Sequence, residues 1–475
     1  MQKYIIGIDT GGTYTDAVLL DRKSNTNIAT SKKTTTHYDL SVATGEAMAD
    51  LLVKSGSSPE HIAKVVLSST LATNSVVENK GARVAVIVVG YVKHFRLPVK
   101  AVVFVKGGHN IMGAEEEPLD LEYLVELLDG LKKEVDAYGV CSAMSIKNPA
   151  HELVVEKAIS MIDPKPVFCS HRISDLAGME ERAATAGLHA KLMPIMESFI
   201  NGVEQAMERL LLKCPVLVIG GNAETIDSDK ATFEAGLTVA SGPACTASFG
   251  ADRAKEDHSL VIDVGGTTTD IAMIENGQPL MSKEGCQIGK WKTHVEAIDM
   301  HTGGIGGDSH VSIDDKGVLT LGPGRVTPLA TAIALAGVDS WLGTGDNNKL
   351  IALQPGNKNK LPKTELAALL QNAGQLTPAA IRKATGLSGI PLDKELEKLT
   401  RKQMIFECGF TPTDALHVLG KIDIGNRTIA FKGAAILGHS MGMDSQEFAQ
   451  FVLETTQEKI ENLIIDYVVK HYWVN

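Results

Sequence analysis

The spacing of hydrophobic residues along the chain predicts a mixed α/β protein. A continuous Val/Ile-rich run at 83–89 is typical of a strand buried on both faces, whereas apolar residues three and four positions apart at 41–55 and 445–469 predict amphipathic helices. Strand and helix patterns alternate over 121–161, and a long helical pattern then covers 180–212. This alternation favours helices packed on sheets over a helical bundle.

Three other segments carry weaker patterns. The apolar residues of 283–289 and 291–298 predict further strands. The small residues of 242–250 predict either a helix that connects two domains or a tightly packed core helix, and both interpretations stay open. Thr413 and Asp414 are predicted to cap the helix that follows them.

Two stretches far apart in the chain share the pattern D-x-G-G-T-x-T-D. They are the first loop, residues 9–16, and the second loop, residues 263–270, and an apolar run precedes each. This order predicts a buried strand, a tight turn and a second strand. One copy alone would fit an ordinary β-hairpin turn, but chance recurrence of the same fixed positions is improbable. The duplication therefore predicts two similar domains that clamp one nucleotide from opposite sides.

The residue types in the two loops suit phosphate and metal binding. Glycine pairs leave no side chain between the backbone and a ligand, so that amide groups can approach phosphate oxygens. Asp9 and Asp263 stand where a strand ends, and we expect them to hold Mg²⁺ or to orient the attacking oxygen. The candidate nucleotide-binding residues of the loops are Thr10, Gly11, Gly12, Thr13, Gly265, Gly266 and Thr267.

A further glycine-rich segment follows the second loop. Gly303, Gly304, Gly306 and Gly307 would allow close contact with a ribose or a phosphate, and Asp308 is a candidate metal ligand. A glycine-rich bend alone is poor evidence, but its position soon after a phosphate loop favours a functional role.

Two other places are candidates for substrate binding. Thr70, Thr73 and Asn74 cluster at a predicted helix start, where an anion would bind well. Simple capping of the helix explains the same residues. His109 lies in the glycine-containing stretch 105–113, which is either a loop over the active site or a flexible surface turn.

With these residues in place, the sequence resembles the hydantoinase A/oxoprolinase family, which includes acetone carboxylase β-type subunits, within the actin, sugar-kinase and chaperone ATPase superfamily. Besides the two loops, the stretches that carry the resemblance are 69–74, 78–81, 145–152, 240–244 and 298–309. The resemblance implies an α/β fold with two ribonuclease-H-like (actin-like ATPase) lobes around a central cleft, a helical insertion and C-terminal helices.

The resemblance and the composition together predict four regions. Residues 1–178 would form the N-terminal lobe, and 179–355 the second lobe with the second loop. Residues 356–402, rich in Lys, Gln, Leu and Ala, would form the helical insertion, and 403–475 would complete the second lobe.

The family implies an ATP- and Mg²⁺-dependent hydrolase that activates a cyclic amide or a small carbonyl compound by phosphoryl transfer, commonly with a B-type partner subunit. Full-length members carry a late glycine-rich segment that contacts adenosine, and we find no clear counterpart in this sequence. We therefore expect a short form of the family, a fragment, or a chain whose nucleotide site another chain completes. A small-molecule kinase of the same fold and a non-catalytic nucleotide-binding subunit that acts with a partner chain remain alternatives.

Composition narrows the partners and the compartment. The chain has 475 residues and a formal net charge of −11, and its pI near 5.7 argues against nucleic acid as a partner. The six cysteines are scattered without a C-x-x-C motif, which fits free thiols in a cytoplasmic protein. No apolar run is long enough for a membrane span, so we expect no membrane partner. Homo-oligomerisation is left open.

Overall fold

A computed structural model gives the structure of the chain. The described residues are 3–473 apart from 12–13, 37–38, 78, 91–93, 174, 283–284, 289, 315, 333–334, 336, 344–347, 355–361, 363 and 402–403. Gly12 and Thr13 of the first loop, both predicted to bind nucleotide, therefore lie outside the described residues.

The strands are numbered in chain order. They are β1 (Tyr4–Thr10), β2 (Tyr14–Asp21), β3 (Thr26–Thr34), β4 (Ile62–Ser69), β5 (Val84–Val89), β6 (Ala101–Val105), β7 (Ala137–Ser142), β8 (Val167–Cys169), β9 (Val216–Ile219), β10 (Thr225–Asp227), β11 (His258–Val264), β12 (Thr269–Glu275), β13 (Gln278–Pro279), β14 (Gln287–Ile288), β15 (Trp291–Lys292), β16 (Met300–Gly303), β17 (Ser309–Ile313), β18 (Leu319–Arg325), β19 (Thr327–Pro328), β20 (Leu350–Leu353), β21 (Gln375–Leu376) and β22 (Ile405–Gly409).

The α-helices are numbered in the same way. They are α1 (Leu40–Ser55), α2 (Leu71–Val77), α3 (Leu121–Leu131), α4 (Ala150–Ile162), α5 (Met179–Arg209), α6 (Ser228–Phe233), α7 (Ser241–Ala251), α8 (Glu365–Ala373), α9 (Pro378–Thr385), α10 (Ile390–Arg401), α11 (Pro412–Val418), α12 (Arg427–Ser440) and α13 (Ser445–Trp473).

The chain divides into two compact units. Unit 1 comprises Met1–Val261 and Ala272–Met300, and unit 2 comprises Ile262–Ile271 and His301–Asn475. The first loop belongs to unit 1, whereas the second loop and the glycine segment, residues 303–308, belong to unit 2.

The first sheet of unit 1 presents the first loop. Its strand order is β10-β9-β4-β1-β2-β3, with β1, β4 and β9 parallel and β1-β2-β3 antiparallel. Alternation along β1 sends Ile6 and Ile8 into a core shared with α1 and α5. Asp9 points to the opposite face, and the register places it beside Asp16 of β2 and Ser68 of β4.

The second sheet of unit 1 is fully parallel, with the order β6-β5-β7-β8. Every residue of β5 is buried, as its continuous Val/Ile run predicts. Helices α3 and α4 cover one face, and the N-terminal half of α5 covers the other. A Cβ on Gly139 of β7 would lie 2.9 Å from the Gly187 nitrogen of α5, so a glycine there lets the helix and the strand pack closely.

Unit 2 has its own core and its own sheet, of order β19-β22-β20-β21. Phe410 and Phe448 are fully buried in a core that includes α11, α12 and α13. Helices α8, α9 and α10 enclose a separate apolar cluster with β20 and β22, and Thr364 and Thr377 cap α8 and α9. The β17–β18 hairpin of this unit is antiparallel and begins directly after the glycine segment.

The prediction of further strands over 283–289 and 291–298 is confirmed in part, because β14 and β15 pair with each other there. Only the two-residue strands β14 and β15 form there, and 293–297 are not in a strand. Val295 and Ala297 are buried in the core of unit 1. Their apolar pattern therefore reflects core packing and not sheet pairing.

Along the described residues, no helix combines the length and the apolar character that a bilayer crossing requires. All six cysteines are free thiols.

Candidate functional site

The first loop is a tight turn fixed by backbone contacts. The Gly11 amide donates to the Tyr14 carbonyl at 3.0 Å, and the Thr35 hydroxyl donates to the Gly11 carbonyl at 2.9 Å. The hydroxyl of Thr10 is buried and lies 3.3 Å from that of Thr44. Thr10 therefore anchors the turn with its side chain and does not present its hydroxyl to a ligand.

Asp9 lines a cavity of about 790 Å³ within unit 1, together with Asp16, Ser68, Lys32 and Cys245. Desolvation in this setting raises the pKa of Asp9 above its usual range, the nearby Ser68 hydroxyl opposes that shift, and the Asp16 carboxylate raises the pKa further. The Lys32 ammonium pairs with Asp16 at 2.7 Å. The Asp9 carboxylate is thus a group whose charged form a divalent cation would stabilise.

The candidate substrate residues Thr70, Thr73 and Asn74 contact one another and the first loop. The Thr70 amide donates to the Thr10 carbonyl at 3.1 Å, and Asn74 Nδ2 donates to the Thr70 hydroxyl at 3.1 Å. The Thr73 hydroxyl accepts from the Ala240 amide at 3.0 Å. These side chains already have partners within unit 1, and they hold the base of the first loop.

His109 lies elsewhere in unit 1, at the carboxyl edge of the second sheet. Its ring is buried and packs 4.4 Å from the ring of His151, whose Nε2 is 2.9 Å from a Glu115 carboxylate oxygen. Burial lowers the pKa of His109, and the nearby His151 lowers it further. In the described residues, no hydrogen bond or ring contact links His109 with Thr70, Thr73 or Asn74.

The second loop is joined to the glycine segment by its backbone. The Gly265 amide donates to the Thr268 carbonyl at 2.9 Å, which closes the turn. The Gly307 amide donates to the Gly265 carbonyl at 2.9 Å, and the Asp308 amide donates to the Gly266 carbonyl at 2.7 Å. The two glycine-rich stretches are therefore parts of one structure, as their sequence proximity suggested.

Close approach explains which glycines are needed. A Cβ on Gly306 would lie 2.5 Å from the Gly265 carbonyl oxygen, and a Cβ on Gly266 would lie 2.6 Å from a carboxylate oxygen of Asp308. A Cβ on Gly303 would lie 2.1 Å from Leu463 of α13, so packing against a helix accounts for that glycine. Gly304 is exposed.

Asp308 lies over the second loop and forms an ion pair that the sequence did not suggest. Its carboxylate is 3.2 Å from a guanidinium nitrogen of Arg325. Burial raises the pKa of Asp308, and Arg325 opposes that shift. Arg325 lies next to Asp308 because the register of the β17–β18 hairpin places it opposite Ser309, the residue after Asp308. No motif marks Arg325 in the sequence, since only the pairing of this hairpin brings it to the loop.

The last aspartates of the two loops have different partners. Asp16 is paired with Lys32 across the β2–β3 strands, whereas Asp270 accepts a hydrogen bond from the Thr302 hydroxyl at 2.6 Å. The Thr269 hydroxyl donates to the Ile305 carbonyl at 2.8 Å, which adds a second tie between this loop and the glycine segment. The shared motif is thus held by different neighbours in the two units.

Helix α11 reaches the glycine segment through Thr413. The N-cap of α11 is Thr411, which forms a capping box with Asp414. The prediction that Asp414 caps this helix is confirmed, but the prediction for Thr413 is wrong. Its amide and hydroxyl both donate to the Gly307 carbonyl, at 2.9 and 2.8 Å.

The backbone of the second loop is accessible to solvent. Gly265, Gly266 and Thr267 are exposed, and Asp263 is half-buried where β11 leads into the loop. Exposed backbone amides suit phosphate oxygens, and carboxylates suit hydrated Mg²⁺. The donor set in each unit, with Asp9 in unit 1 and Asp263 and Asp308 in unit 2, therefore fits Mg²⁺ with a polyphosphate.

Family models match most of the chain. One described as Hydantoinase/oxoprolinase N-terminal region matches residues 5–162, and one described as Hydantoinase/oxoprolinase matches residues 182–472.

Curated relatives share about a quarter of their residues with the chain. Caprolactamase subunit alpha of Pseudomonas jessenii is 26% identical over 364 residues, which are 68% of this chain and 50% of the relative. Acetophenone carboxylase gamma subunit of Aromatoleum aromaticum is 26% identical over 365 residues, which are 67% of this chain and 49% of the relative. 5-oxoprolinase 1 of Arabidopsis thaliana is 26% identical over 217 residues, which are 44% of this chain and 17% of the relative. The chain thus spans about half the length of the first two.

Two solved structures share the fold. Nucleotide-free acetone carboxylase matches with a TM-score of 0.65 and 17% identity, over 99% of this chain and 63% of that one. The ATP-dependent caprolactamase from Pseudomonas jessenii matches with a TM-score of 0.65 and 20% identity, over 97% and 62%. The likeness confirms the predicted fold class, a mixed α/β protein with the actin-like ATPase fold.

Proposed function

The chain belongs to the hydantoinase/oxoprolinase family, and on that premise we propose that it is an ATP-dependent enzyme that activates a cyclic amide by phosphoryl transfer and then hydrolyses its C–N bond. The observation that carries this proposal is the repeated D-x-G-G-T-x-T-D loop, whose second copy is bonded to the glycine segment and lies under Asp308. Relatives named caprolactamase and 5-oxoprolinase support the choice of a cyclic amide.

The phosphate contacts are assigned to backbone groups. The exposed amides of Gly265, Gly266 and Thr267 would bind phosphate oxygens, and Gly304 would contact the ribose or another phosphate. Gly11 would contribute in the same way from the first loop, together with Gly12 and Thr13. We propose phosphate binding for each loop, because the motif recurs with all its fixed positions.

The carboxylates are assigned to the metal and to the attacking oxygen. Asp9, Asp263 and Asp308 would hold Mg²⁺, which when bound offsets the charge that grows on the transferred phosphoryl group. Asp9 or Asp263 would also orient the oxygen that attacks. In both loops the aspartate stands one residue before the end of a strand, β1 or β11, so the strand fixes its backbone position before a ligand arrives.

Phosphorylation explains why ring opening is coupled to ATP. The amide oxygen attacks the γ-phosphorus, ADP leaves, and the resulting O-phosphorylated carbon is a better electrophile than the amide. Water then adds to that carbon, and the C–N bond breaks with the nitrogen leaving as the amine, which gives a ring-opened acyl phosphate. A second water hydrolyses the acyl phosphate and releases phosphate. The balance is one lactam, one ATP and two waters consumed, with amino acid, ADP and phosphate formed.

Activation of a ketone is a second candidate, because relatives include an acetophenone carboxylase subunit. A ketone would be phosphorylated at its enol oxygen by the same groups, and carboxylation would follow. Two further outcomes are a kinase, which leaves a stable phosphorylated product, and a non-catalytic nucleotide-binding subunit that acts only with a B-type partner chain.

Phosphate release with cyclic amides and with ketones tests the proposal. We expect release to depend on a cyclic amide and to yield a ring-opened product by mass spectrometry. Asp263→Asn should lower the rate about 100-fold or more, because it removes preorganised charge at the reacting groups. Asp229→Asn, on an exposed helix turn of unit 1, is the matched control and should retain the rate. Equal rates in both variants would rule out the assigned role.

A further inference from the structure

The ion pair between Asp308 and Arg325 joins a sheltered carboxylate to an exposed cation. The Asp308 side chain is 18% exposed, whereas that of Arg325 is 53% exposed, and the two charged groups are 3.2 Å apart. The guanidinium therefore reaches the carboxylate from the solvent side, and its ion-pair partner among the described residues is Asp308.

Asp308 is fixed on the second loop from both sides of its backbone. Its amide donates to the Gly266 carbonyl at 2.7 Å, and its carbonyl accepts from the Val326 amide at 3.0 Å. The missing side chain of Gly266 leaves the space that a carboxylate oxygen of Asp308 occupies. The carboxylate is thus held directly over the exposed loop amides, and Arg325 is held next to it by the same hairpin.

We propose that Arg325 is the resident counter-ion of Asp308, which a divalent cation displaces, and that the freed guanidinium then contacts a phosphate of the bound nucleotide. This inference rests on the proposed function, since it uses the same loop, but it adds a residue and an order of events. Before a metal arrives, Arg325 neutralises a half-buried carboxylate. When the metal takes the carboxylate, the guanidinium keeps its five donors for an anion.

The chemistry of the pair suits an exchange of partners. Half-exposed ion pairs are weak, because water and salt compete for both charges. Two cations cannot share one small carboxylate at full strength, so Arg325 and the metal compete for Asp308. Guanidinium groups bind phosphate with paired hydrogen bonds, which a lysine in the same place would not reproduce. If the Asp308–Arg325 ion pair only stabilised the β17–β18 hairpin, its removal would change protein stability and leave metal binding unchanged.

Titration with Mn²⁺ alone, followed by electron paramagnetic resonance, tests the competition without turnover. Arg325→Gln should bind Mn²⁺ about two- to fivefold more tightly than the wild type. The substitution removes the guanidinium that competes with the metal for Asp308, and the ion pair lost with it is weak. Asp308→Asn should weaken binding about tenfold or more, since it removes a charged ligand. Lys432→Gln removes an equal charge from an exposed site on α12 and serves as the control. Arg325→Gln binding Mn²⁺ no better than Lys432→Gln would overturn the proposal.

Nucleotide binding and turnover test the second half. Arg325→Gln should lower the affinity for Mg-ATP but not for adenosine, and it should slow phosphate release about 100-fold. Arg325→Lys should recover the Mn²⁺ affinity of the wild type but only part of the rate. If the wild type hydrolyses ATP and Arg325→Gln does so at the rate of Lys432→Gln, this inference fails while the proposed function stands. If the wild type has no ATP-dependent activity, the proposed function fails, and the Mn²⁺ titration alone decides the role of Arg325.

Discussion

Asp9 occupies a position that destabilises its charged form in the folded state. Its pKa is raised above the unfolded value, mainly by desolvation, so the folded state holds the proton more tightly than the unfolded state. Stability is then lost as pH rises from the unfolded pKa through the folded one. At neutral pH the ionised Asp9 carries this penalty in the folded state.

Asp9→Asn should therefore have a melting temperature at pH 7 equal to or above that of the wild type, with the difference disappearing near pH 4. The same variant should lose most of its ATP-dependent phosphate release. Calorimetric melting at the two pH values, with Asp229→Asn as the control, checks this. A variant that is both inactive and much less stable would contradict this account of Asp9.

Burial gives His189 a different dependence on pH. Its ring is fully buried, stacked 4.2 Å from Phe168, and its Nδ1 accepts from the Gly236 amide at 3.1 Å. Burial lowers the pKa of His189 to about 3. The folded state thus favours the neutral form of His189. The contribution of this histidine to protein stability is fully present above its unfolded pKa and is lost as the pH falls below that value.

As the pH falls from 6.5 to 5, the buried His189 should lower the free energy of unfolding of the wild type by about 2 kcal/mol. His189→Gln keeps an acceptor for the Gly236 amide and removes the titration, so its stability should change less over that range. Urea denaturation at both pH values measures the difference. His439→Gln, at an exposed position of α12, should behave as the wild type does.

Single residues of the candidate site were predicted unevenly from sequence, for clear reasons. The aspartates and glycines of both loops stand in a repeated motif, so the sequence marks them as candidates. The buried hydroxyl of Thr10 follows from the alternation of β1, which the motif alone does not reveal. Arg325 depends on the pairing of a hairpin, and Gly303 on a helix far along the chain, and neither contact leaves a local signal.

At the scale of elements, the contact between the second loop and the glycine segment is the main feature. It requires two backbones to touch, because the Gly307 amide bonds the Gly265 carbonyl while Gly306 lies against the same oxygen. A side chain at position 306 would separate the two stretches. The contact therefore couples the geometry of the phosphate loop to that of Asp308.

Gly306→Ala should destabilise the protein by about 1–3 kcal/mol, the usual cost of overpacking, and should weaken Mg-ATP binding more than tenfold by displacing the loop. Gly130→Ala, in α3 where an added Cβ meets nothing within 4 Å, should be neutral or stabilising. Denaturant unfolding and calorimetric titration measure the two effects. Normal nucleotide binding by Gly306→Ala would show that the contact is dispensable.

The long periodic elements were predictable because their patterns are local. The pattern over 180–212 corresponds to α5, and the run at 83–89 corresponds to β5. The segment after β13 was not predictable, since Val295 and Ala297 fill the core of unit 1 without pairing in a sheet. Thr413 was predicted as the cap because a Thr-Pro-Thr-Asp sequence offers two candidate threonines. The structure uses the first of them, Thr411, as the N-cap.

At the scale of the whole molecule, the chain has two compact units, and each holds one copy of the motif near the end of a strand. The buried strand predicted before each loop is found in β1, which has buried residues, but not in β11, none of whose residues is buried. The fold was predictable because the repeated motif belongs to a known superfamily, and structures with TM-scores of 0.65 support it. The substrate was not predictable, since no residue pattern distinguishes one cyclic amide or ketone from another. The division 1–178, 179–355, 356–402 and 403–475 stays a prediction.

Calorimetric titration of Mg-ATP into the wild type, Asp9→Asn, Asp263→Asn and the double variant tests the central proposal most directly. If each loop contributes to nucleotide binding, each single variant loses at least about tenfold in affinity for Mg-ATP, and the double variant loses at least as much as either single variant. Unchanged affinity in either single variant would contradict the account.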